Sequence, residues 1–319
     1  MNMHLLQVCN VGQIVGGTAA CAWTVTRALP DWQHTVLFFS RPTAETRAIF
    51  APVRCEYSQQ LTADLWKHLA PDRILLHNIS AERLAPGLPP CDLQYQHSAG
   101  TRAPARRTVY CSLWLAERCQ GSLGSVLYQA VPIPPRVPGK ECRELRSELV
   151  VGRICTPTAR KWPDWQIPLY ARWAEQFPEI RWEFVGCPHS LQAQLQQACR
   201  GRVNFYSASW QARGLLQHWD VLLYHHPELP ESFGRVVAEA LRAGCVPVVD
   251  DLGGFRETVT PATGFLCRSE MEFTAALAEL HNLATRRTYS RAASAHGDEL
   301  YSLARFQQQL LPMLLDKHL

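Results

Sequence analysis

The sequence predicts an α/β protein built on two parallel, doubly wound sheets, and three observations carry that expectation. Short apolar, β-branched runs alternate with helical patterns from end to end, as strands joined by crossover helices do. The chain has 319 residues, which suits two domains of roughly 150 residues each better than one. Between the halves stands Ala130-Val-Pro-Ile-Pro-Pro-Arg-Val-Pro-Gly139, whose prolines lack an amide donor and restrict the residue before them. This stretch reads as the linker.

In the first half the expected strands are 4–9, 34–39, 53–56, 73–77, 92–96, 108–111 and 125–128, with helices at 18–29, 60–69 and 112–119. The second half is a cleaner doubly wound pattern. Its strands are expected at 149–153, 181–185, 202–205, 220–223, 246–249 and 264–267, and its helices at 166–177, 190–199, 233–243 and 271–284. From residue 287 the chain turns helical, ending in an apolar stripe over 301–315 that Pro312 interrupts. The domains expected are therefore 1–140, 141–300 and a terminal helix, 301–319, which packs on its own domain or crosses back to the first.

Composition narrows the class. With 47% hydrophobic and 19% charged residues, disorder, collagen and coiled coil are excluded, and no apolar run approaches the ~18 residues of a membrane span. The opening Met1-Asn-Met-His-Leu-Leu-Gln-Val-Cys-Asn10 is too short and polar for a signal peptide, so a cytoplasmic address is expected. The formal charge of +4 lies wholly in the first half, with 15 Lys and Arg against 11 acids in 1–149 and 17 against 17 in 150–319. A solubilising surface accounts for so small an excess. The cluster Arg102, Arg106 and Arg107 also suits an anionic partner, so peripheral association at the inner membrane face stays open. Nucleic acid is not expected as a partner, because the basic residues form no recognised motif with aromatics. The twelve cysteines are scattered without a Cys-x-x-Cys pair and read as reduced core thiols rather than disulfides or zinc ligands.

The most informative stretch is Leu229-Pro-Glu-Ser-Phe-Gly-Arg-Val-Val-Ala-Glu-Ala-Leu-Arg-Ala-Gly-Cys-Val-Pro-Val-Val249, a loop, an amphipathic helix and a buried strand in succession. Glu231 precedes the helix and Glu239 follows about two turns along. The helix N-terminus near Phe233, Gly234 and Arg235 offers amide donors and the positive end of a dipole, which suit a phosphate. Gly244 reads as a left-handed cap and Pro247 as the start of a strand. Singly, Glu231 reads as a helix-capping acid and Glu239 as a solvent-facing charge. Together, and followed by Asp251-Leu-Gly-Gly-Phe-Arg-Glu257, they read as a site.

Here the sequence resembles the retaining GT-B glycosyltransferases of the family-4 type (glycosyl transferases group 1). That family carries Pro-Glu-(Gly/Ser)-Phe-Gly, a second Glu, Gly-x-Pro-Val-Val and a Gly-Gly-x-x-Glu loop. Pro230-Glu231-Ser232-Phe233-Gly234, Glu239, Gly244-Cys-Val-Pro247 and Gly253-Gly254-Phe-Arg-Glu257 match it in order and spacing. The resemblance implies two Rossmann-like domains with a cleft between them, the second holding a nucleotide-sugar donor.

It implies roles residue by residue. Glu231 would hold donor-sugar hydroxyls, with Ser232 and Phe233 beside it; the amides of Gly234 and Arg235 would meet the diphosphate; Glu239 would bind the ribose diol, since a carboxylate accepts both protons. Leu149-Val-Val-Gly-Arg153 resembles the Gly-Arg signature that opens the donor domain, so Arg153 and Lys161, or Arg160 in its place, would clamp the departing diphosphate. Phe184-Val-Gly-Cys-Pro188 resembles a further strand-to-loop motif. Tyr206 and Ser207 occupy the nucleobase position, Gly16 and Gly17 a loop facing the cleft, as donor-binding candidates to approach donor phosphate or acceptor, and His97 the place of a histidine beside the reacting sugar; His77 and Asn78 are candidates to line the same cleft. Trp162 and Trp165 read as loop packing, and His225 and His226 as cleft-lining loop residues without the carboxylate or third histidine a metal needs.

The expected function is transfer of a sugar from a UDP- or GDP-sugar to an acceptor hydroxyl with retention of configuration. The chain contains no Asp-x-Asp, so no metal and no further cofactor is expected; cations and the helix dipole take over charge neutralisation. The acceptor is unidentified, with an anionic or lipid-linked one as a hypothesis. Alternatives are a GT-B sugar-nucleotide epimerase, a phosphorylase-like enzyme, or an idle nucleotide-sugar-binding module. A dehydrogenase is disfavoured because the first glycine loop, with Gly12, Gly16 and Gly17, is not Gly-x-Gly-x-x-Gly.

Overall fold

A computed structural model describes residues 3–122, 125–140, 143 and 146–316. Cys142 and the expected boundary at 140/141 reach outside the described residues. The chain divides into two compact units, Met1–Val131 with Leu300–Leu319, and Pro132–Glu299.

The first unit runs β1 (His4–Cys9), α1 (Gly17–Ala28), β2 (Gln33–Phe38), α2 (Ala44–Phe50), β3 (Arg54–Tyr57), α3 (Ala63–Leu69), β4 (Arg73–His77), β5 (Leu93–Gln96), β6 (Arg107–Tyr110) and α4 (Leu113–Arg118). Every strand pair is parallel, in the order β3-β2-β1-β4-β5-β6. Strands covered on both faces read as unbroken apolar runs, and β1 accordingly has five consecutive buried residues.

The second unit repeats the plan. It contains β7 (Val150–Ile154), α5 (Gln166–Gln176), β8 (Arg181–Val185), α6 (His189–Ala198), β9 (Val203–Tyr206), β10 (Val221–Tyr224), α7 (Arg235–Arg242), β11 (Val246–Asp250), α8 (Phe255–Thr258), β12 (Phe265–Cys267) and α9 (Glu270–His281). Its order is β12-β11-β10-β7-β8-β9, also parallel. In such sheets ligands bind beyond the carboxyl ends of the strands where the order reverses. Those points are β1/β4 in the first unit and β7/β10 in the second.

The core of the second unit is aromatic. Tyr170 and Trp173 on α5 pack against Trp182 and Phe184 on β8, with Phe273 of α9 6.0 Å from Trp173. Gly152 in β7 leaves room for Trp219, whose ring would stand 2.0 Å from an added Cβ. Trp219 then donates from Nε1 to the fully buried Glu183 at 2.8 Å.

After α9 come α10 (Leu283–Tyr301) and α11 (Leu303–Leu315). The chain rejoins the first unit at Leu300, where Arg73 Nε donates to Leu314 O at 2.6 Å and Arg107 pairs with Asp316. Three differences from the sequence reading have local causes. The expected strand 125–128 is a single bridge between Tyr110 and Val126, lying next to an edge strand and before prolines that cannot extend a ladder. Helix α2 was not expected; its Thr43 side chain caps it by accepting from the Thr46 amide at 3.1 Å. Helix α8, a single turn inside the Gly-Gly loop, was likewise missed. None of the eleven described cysteines forms a disulfide, and eight are buried.

Candidate active site

The carboxyl edge of the second sheet gathers a charged assembly at the β7/β10 reversal. Arg153 leaves β7 one residue before its end, Tyr224 closes β10, Lys161 closes a single 3-10 turn (Ala159–Lys161), and Glu231 lies in the loop leading to α7. Lys161 Nζ forms an ion pair with Glu231 Oε1. The Tyr224 hydroxyl joins both, 2.9 Å from Glu231 Oε1 and 3.2 Å from Lys161 Nζ. Burial first, and then the Glu231 charge, push the Tyr224 phenol far above its ordinary pKa, so it stays a proton donor to the carboxylate.

Arg153 is 1% exposed. Its guanidinium lies between the rings of Tyr224 and Trp162, at 4.8 and 5.0 Å from their centroids, and donates to the carbonyls of Lys161 at 2.8 Å and His225 at 3.3 Å. Burial opposes its charge, but Cys155, Tyr170 and Tyr224 around it hold its pKa above the usual value. Arg153 thus ties together the two loops that carry Lys161 and His225. It is Lys161, not Arg160, whose cation reaches Glu231; the Arg160 carbonyl instead lies 2.9 Å from His226 Nε2.

Helix α7 begins at Gly234, whose φ of +77° is left-handed and whose added Cβ would meet the Phe255 ring at 2.5 Å. Only glycine fits that corner. The Gly-Gly loop docks on the acid, Gly254 N donating to Glu231 O at 2.8 Å. One turn into α7, Glu239 is 4% exposed, not the solvent-facing charge it would be if it were an ordinary helix residue. Its Oε1 receives Arg235 Nε at 3.0 Å and Arg213 Nε at 3.1 Å, and Arg213 lies over Trp210.

The other expected residues fall in three places. Ser232 and Phe233 continue the Glu231 loop, Phe233 being buried. Tyr206 and Ser207 stand at the end of β9, the edge strand, two strands from β7. The Tyr206 hydroxyl turns to Lys140 and Glu183, at 2.6 and 3.2 Å. Gly16, Gly17 and His97 belong to the first unit: Gly16 caps α1, Gly17 opens it, and both ring nitrogens of His97 are engaged, by His77 and Gln129.

Three readings change. Trp162 is packed at the loop as expected, but Trp165 is 40% exposed and edges onto His225 and His226. His225 and His226 are held by Asp250, through His225 Nδ1 at 2.7 Å and the His226 amide. The arginine cluster dissolves: the loop from β5 to β6 leaves a carboxyl edge and arrives at an amino edge, so Arg102, bonded to Ser98, and Arg107, paired with Asp316, end on opposite sides of the sheet. Sequence reasoning missed Tyr224, Arg213, Asp250 and Lys140. A tyrosine closing an otherwise aliphatic strand, Val221-Leu-Leu-Tyr224, was the one available signal.

Residues 147–282 match the family model for glycosyl transferases group 1. The chain carries a group 1 glycosyltransferase domain. Its GT-B fold is shared with Anabaena HepE, solved in complex with UDP-glucose, at TM-score 0.74 and 18% identity over 97% of this chain and 98% of that one. A glycosyltransferase from Rickettsia africae matches at TM-score 0.72 and 12% identity, covering 98% and 97%. Sucrose-phosphate synthase from Thermosynechococcus elongatus matches at 0.70 and 14%, covering 98% of each chain. No curated protein matches in sequence.

Proposed function

We propose that this GT-B glycosyltransferase moves a sugar from a nucleotide-diphosphate sugar, with UDP-sugars as the first donors to test, to an acceptor hydroxyl with retention of configuration and without a metal. The observation that carries the reading is the Glu231–Lys161–Tyr224 cluster standing at the strand-order reversal, beside the N-terminus of α7 and inside the group 1 domain. The UDP and UDP-glucose bound to HepE support the donor class.

In the free chain Lys161 and Glu231 neutralise each other. An arriving diphosphate competes for Lys161, and Glu231 is then released to accept hydrogen bonds from sugar hydroxyls. The Gly234 and Arg235 amides, at the positive end of α7, meet the phosphates. Arg153 is too enclosed to swing outward; it acts by fixing Lys161 and by placing its charge beneath the departing phosphate. Two guanidinium nitrogens on Glu239 Oε1 leave that carboxylate with acceptor capacity, since it has roughly four lone-pair sites, and a ribose diol fits the remainder. Ser232, Phe233, Tyr206 and Ser207 flank the nucleoside. The second unit then holds the donor, and Gly16, Gly17 and His97 of the first are candidates to touch donor phosphate, reacting sugar or acceptor.

Breaking the glycosidic bond leaves charge on the diphosphate oxygen, which takes the acceptor proton on the face it departs from. Lys161, Arg153 and the helix dipole stabilise that oxygen, the task a divalent ion would otherwise perform. The test is turnover of a UDP-sugar panel in excess chelator, with the product's anomeric configuration read by NMR. Retained configuration and undiminished rate are expected. Inversion, or abolition by chelator, would contradict the mechanism, and donor binding without turnover would point to an idle binding module.

A further inference from the structure

The first unit holds a buried chain of four side chains, of which only His97 figures in the proposed transfer. It links Gln7 in β1, His77 at the end of β4, His97 just past β5, and Gln129. Gln7 and His77 are 0% exposed, Gln129 3% and His97 8%. Gln7 Oε1 lies 3.0 Å from His77 Nε2, His77 Nδ1 3.0 Å from His97 Nε2, and Gln129 Nε2 2.9 Å from His97 Nδ1. Strands β1 and β4 are the pair at which the first sheet reverses its order, so the chain stands where doubly wound sheets receive ligands.

The two imidazoles meet head-on. Their planes differ by 10° and their centroids are 5.3 Å apart, which, for nitrogens 3.0 Å apart, puts both nitrogens on the line between the ring centres. One shared proton satisfies that arrangement. A metal ion does not, although Cys21 adds a third ligand atom within 4.8 Å of the other two: ligands of a tetrahedral ion aim at a common point, whereas these lone-pair axes aim at each other.

A neutral imidazole donates from one nitrogen and accepts at the other, and burial, which lowers His77 to about 3, keeps that ring neutral. The direction of one bond therefore sets the rest. Gln7 presents its oxygen, so His77 donates from Nε2 and accepts at Nδ1. His97 then donates from Nε2 and accepts at Nδ1, and Gln129 presents the amide nitrogen this requires. The two ends agree. The His97 backbone is pinned as well, its amide donating to Asn78 Oδ1 at 2.7 Å, and the Tyr95 ring packs on the His97 ring with centroids 4.3 Å apart. One feature favours the opposite direction: Gln7 Nε2 has no partner among the described residues and would gain one if both amides turned.

We infer that His77 is a positioning residue that holds His97 in the tautomer with its proton on Nε2, so that Nδ1 is a neutral acceptor for a substrate hydroxyl taking the place of the Gln129 amide. The hydroxyl keeps its hydrogen throughout, and no proton passes to the protein. That the hydroxyl belongs to a sugar rests on the proposed function; the tautomer does not.

The test uses the full chain labelled with 15N-histidine. A coupling between His77 and His97 across their hydrogen bond is expected, with the proton on His97 Nε2 and both Nδ1 atoms bare. A proton on His77 Nδ1, or stoichiometric zinc uptake that abolishes the coupling, overturns the assignment. Two variants read the consequence for catalysis. His77→Phe removes the acceptor and is expected to lower kcat/KM for transfer about tenfold, the equivalent of one hydrogen bond. His77→Gln supplies a carboxamide oxygen to the same proton and is expected to recover most of that loss. Equal rates in wild type and both variants, or equal losses in both, overturn the positioning role. If the coupling is found and no sugar is transferred, the functional reading fails and the tautomer stands.

Discussion

At the scale of single residues, Glu231 and Arg153 should fail differently. The Glu231 side chain is 27% exposed and held only by the Lys161 ammonium and the Tyr224 hydroxyl among the described residues, so Glu231→Ala is expected to cost roughly 100-fold or more in kcat with a smaller loss of stability than the Arg153 variant. Arg153 is buried between two rings and bonded to two loop carbonyls. Its alanine variant should lose about 3 kcal/mol of stability as well as activity, which denaturant titration measures. Gly17 gives the opposite contrast. A methyl there meets nothing within 4 Å, so Gly17→Ala should leave stability within ~0.5 kcal/mol; a fall in activity would then report a substrate approaching that backbone, and unchanged kinetics would remove Gly17 from the site.

At the scale of elements, the first sheet buries a neutral imidazole and the second a paired carboxylate, and the two should titrate in different windows. His77 in β4 is held neutral, burial lowering it from 6.5 to about 3. The unfolded chain binds that proton more readily, so the stability of the first unit is full above about pH 6.5 and declines as pH falls toward 3. In β8, burial alone would raise Glu183, but bonds from His218, Lys140 and Trp219 lower it from 4.5 to about 2. Its contribution is full above pH 4.5 and is lost as pH falls toward 2. Hydrogen exchange resolved by segment should therefore show β1 and β4 losing protection between pH 6.5 and 5 while β7 and β8 keep theirs; simultaneous loss would refute this ordering. The strands themselves were legible in the sequence: 4–9, 73–77 and 181–185 coincide with β1, β4 and β8, because continuous apolar runs bounded by turns carry their own signal. The turn of α8 and the edge segment at 125–128 were not, since docking and neighbouring prolines decide them. Within the site, the acids and glycines of 230–257 were legible through spacing in one stretch. The partners were not. Lys161 meets Glu231 across 70 residues and Gln7 meets His77 across 70, and such pairings exist only once the sheet order is formed.

At the scale of the whole molecule, the proposed donor site lies on the second unit, at the edge that carries Lys161, Glu231 and Gly234, with Glu239 one turn into α7. The most direct measurement is a calorimetric titration of UDP- and GDP-sugars in excess chelator, on wild type and on Lys161→Ala and Glu239→Gln. One donor is expected to bind wild type, with at least about tenfold weaker affinity in each variant, the loss of one charge-assisted hydrogen bond, while both variants melt as cooperatively as the parent. A donor that binds all three proteins equally tightly, or only when a divalent metal is restored, would contradict the account.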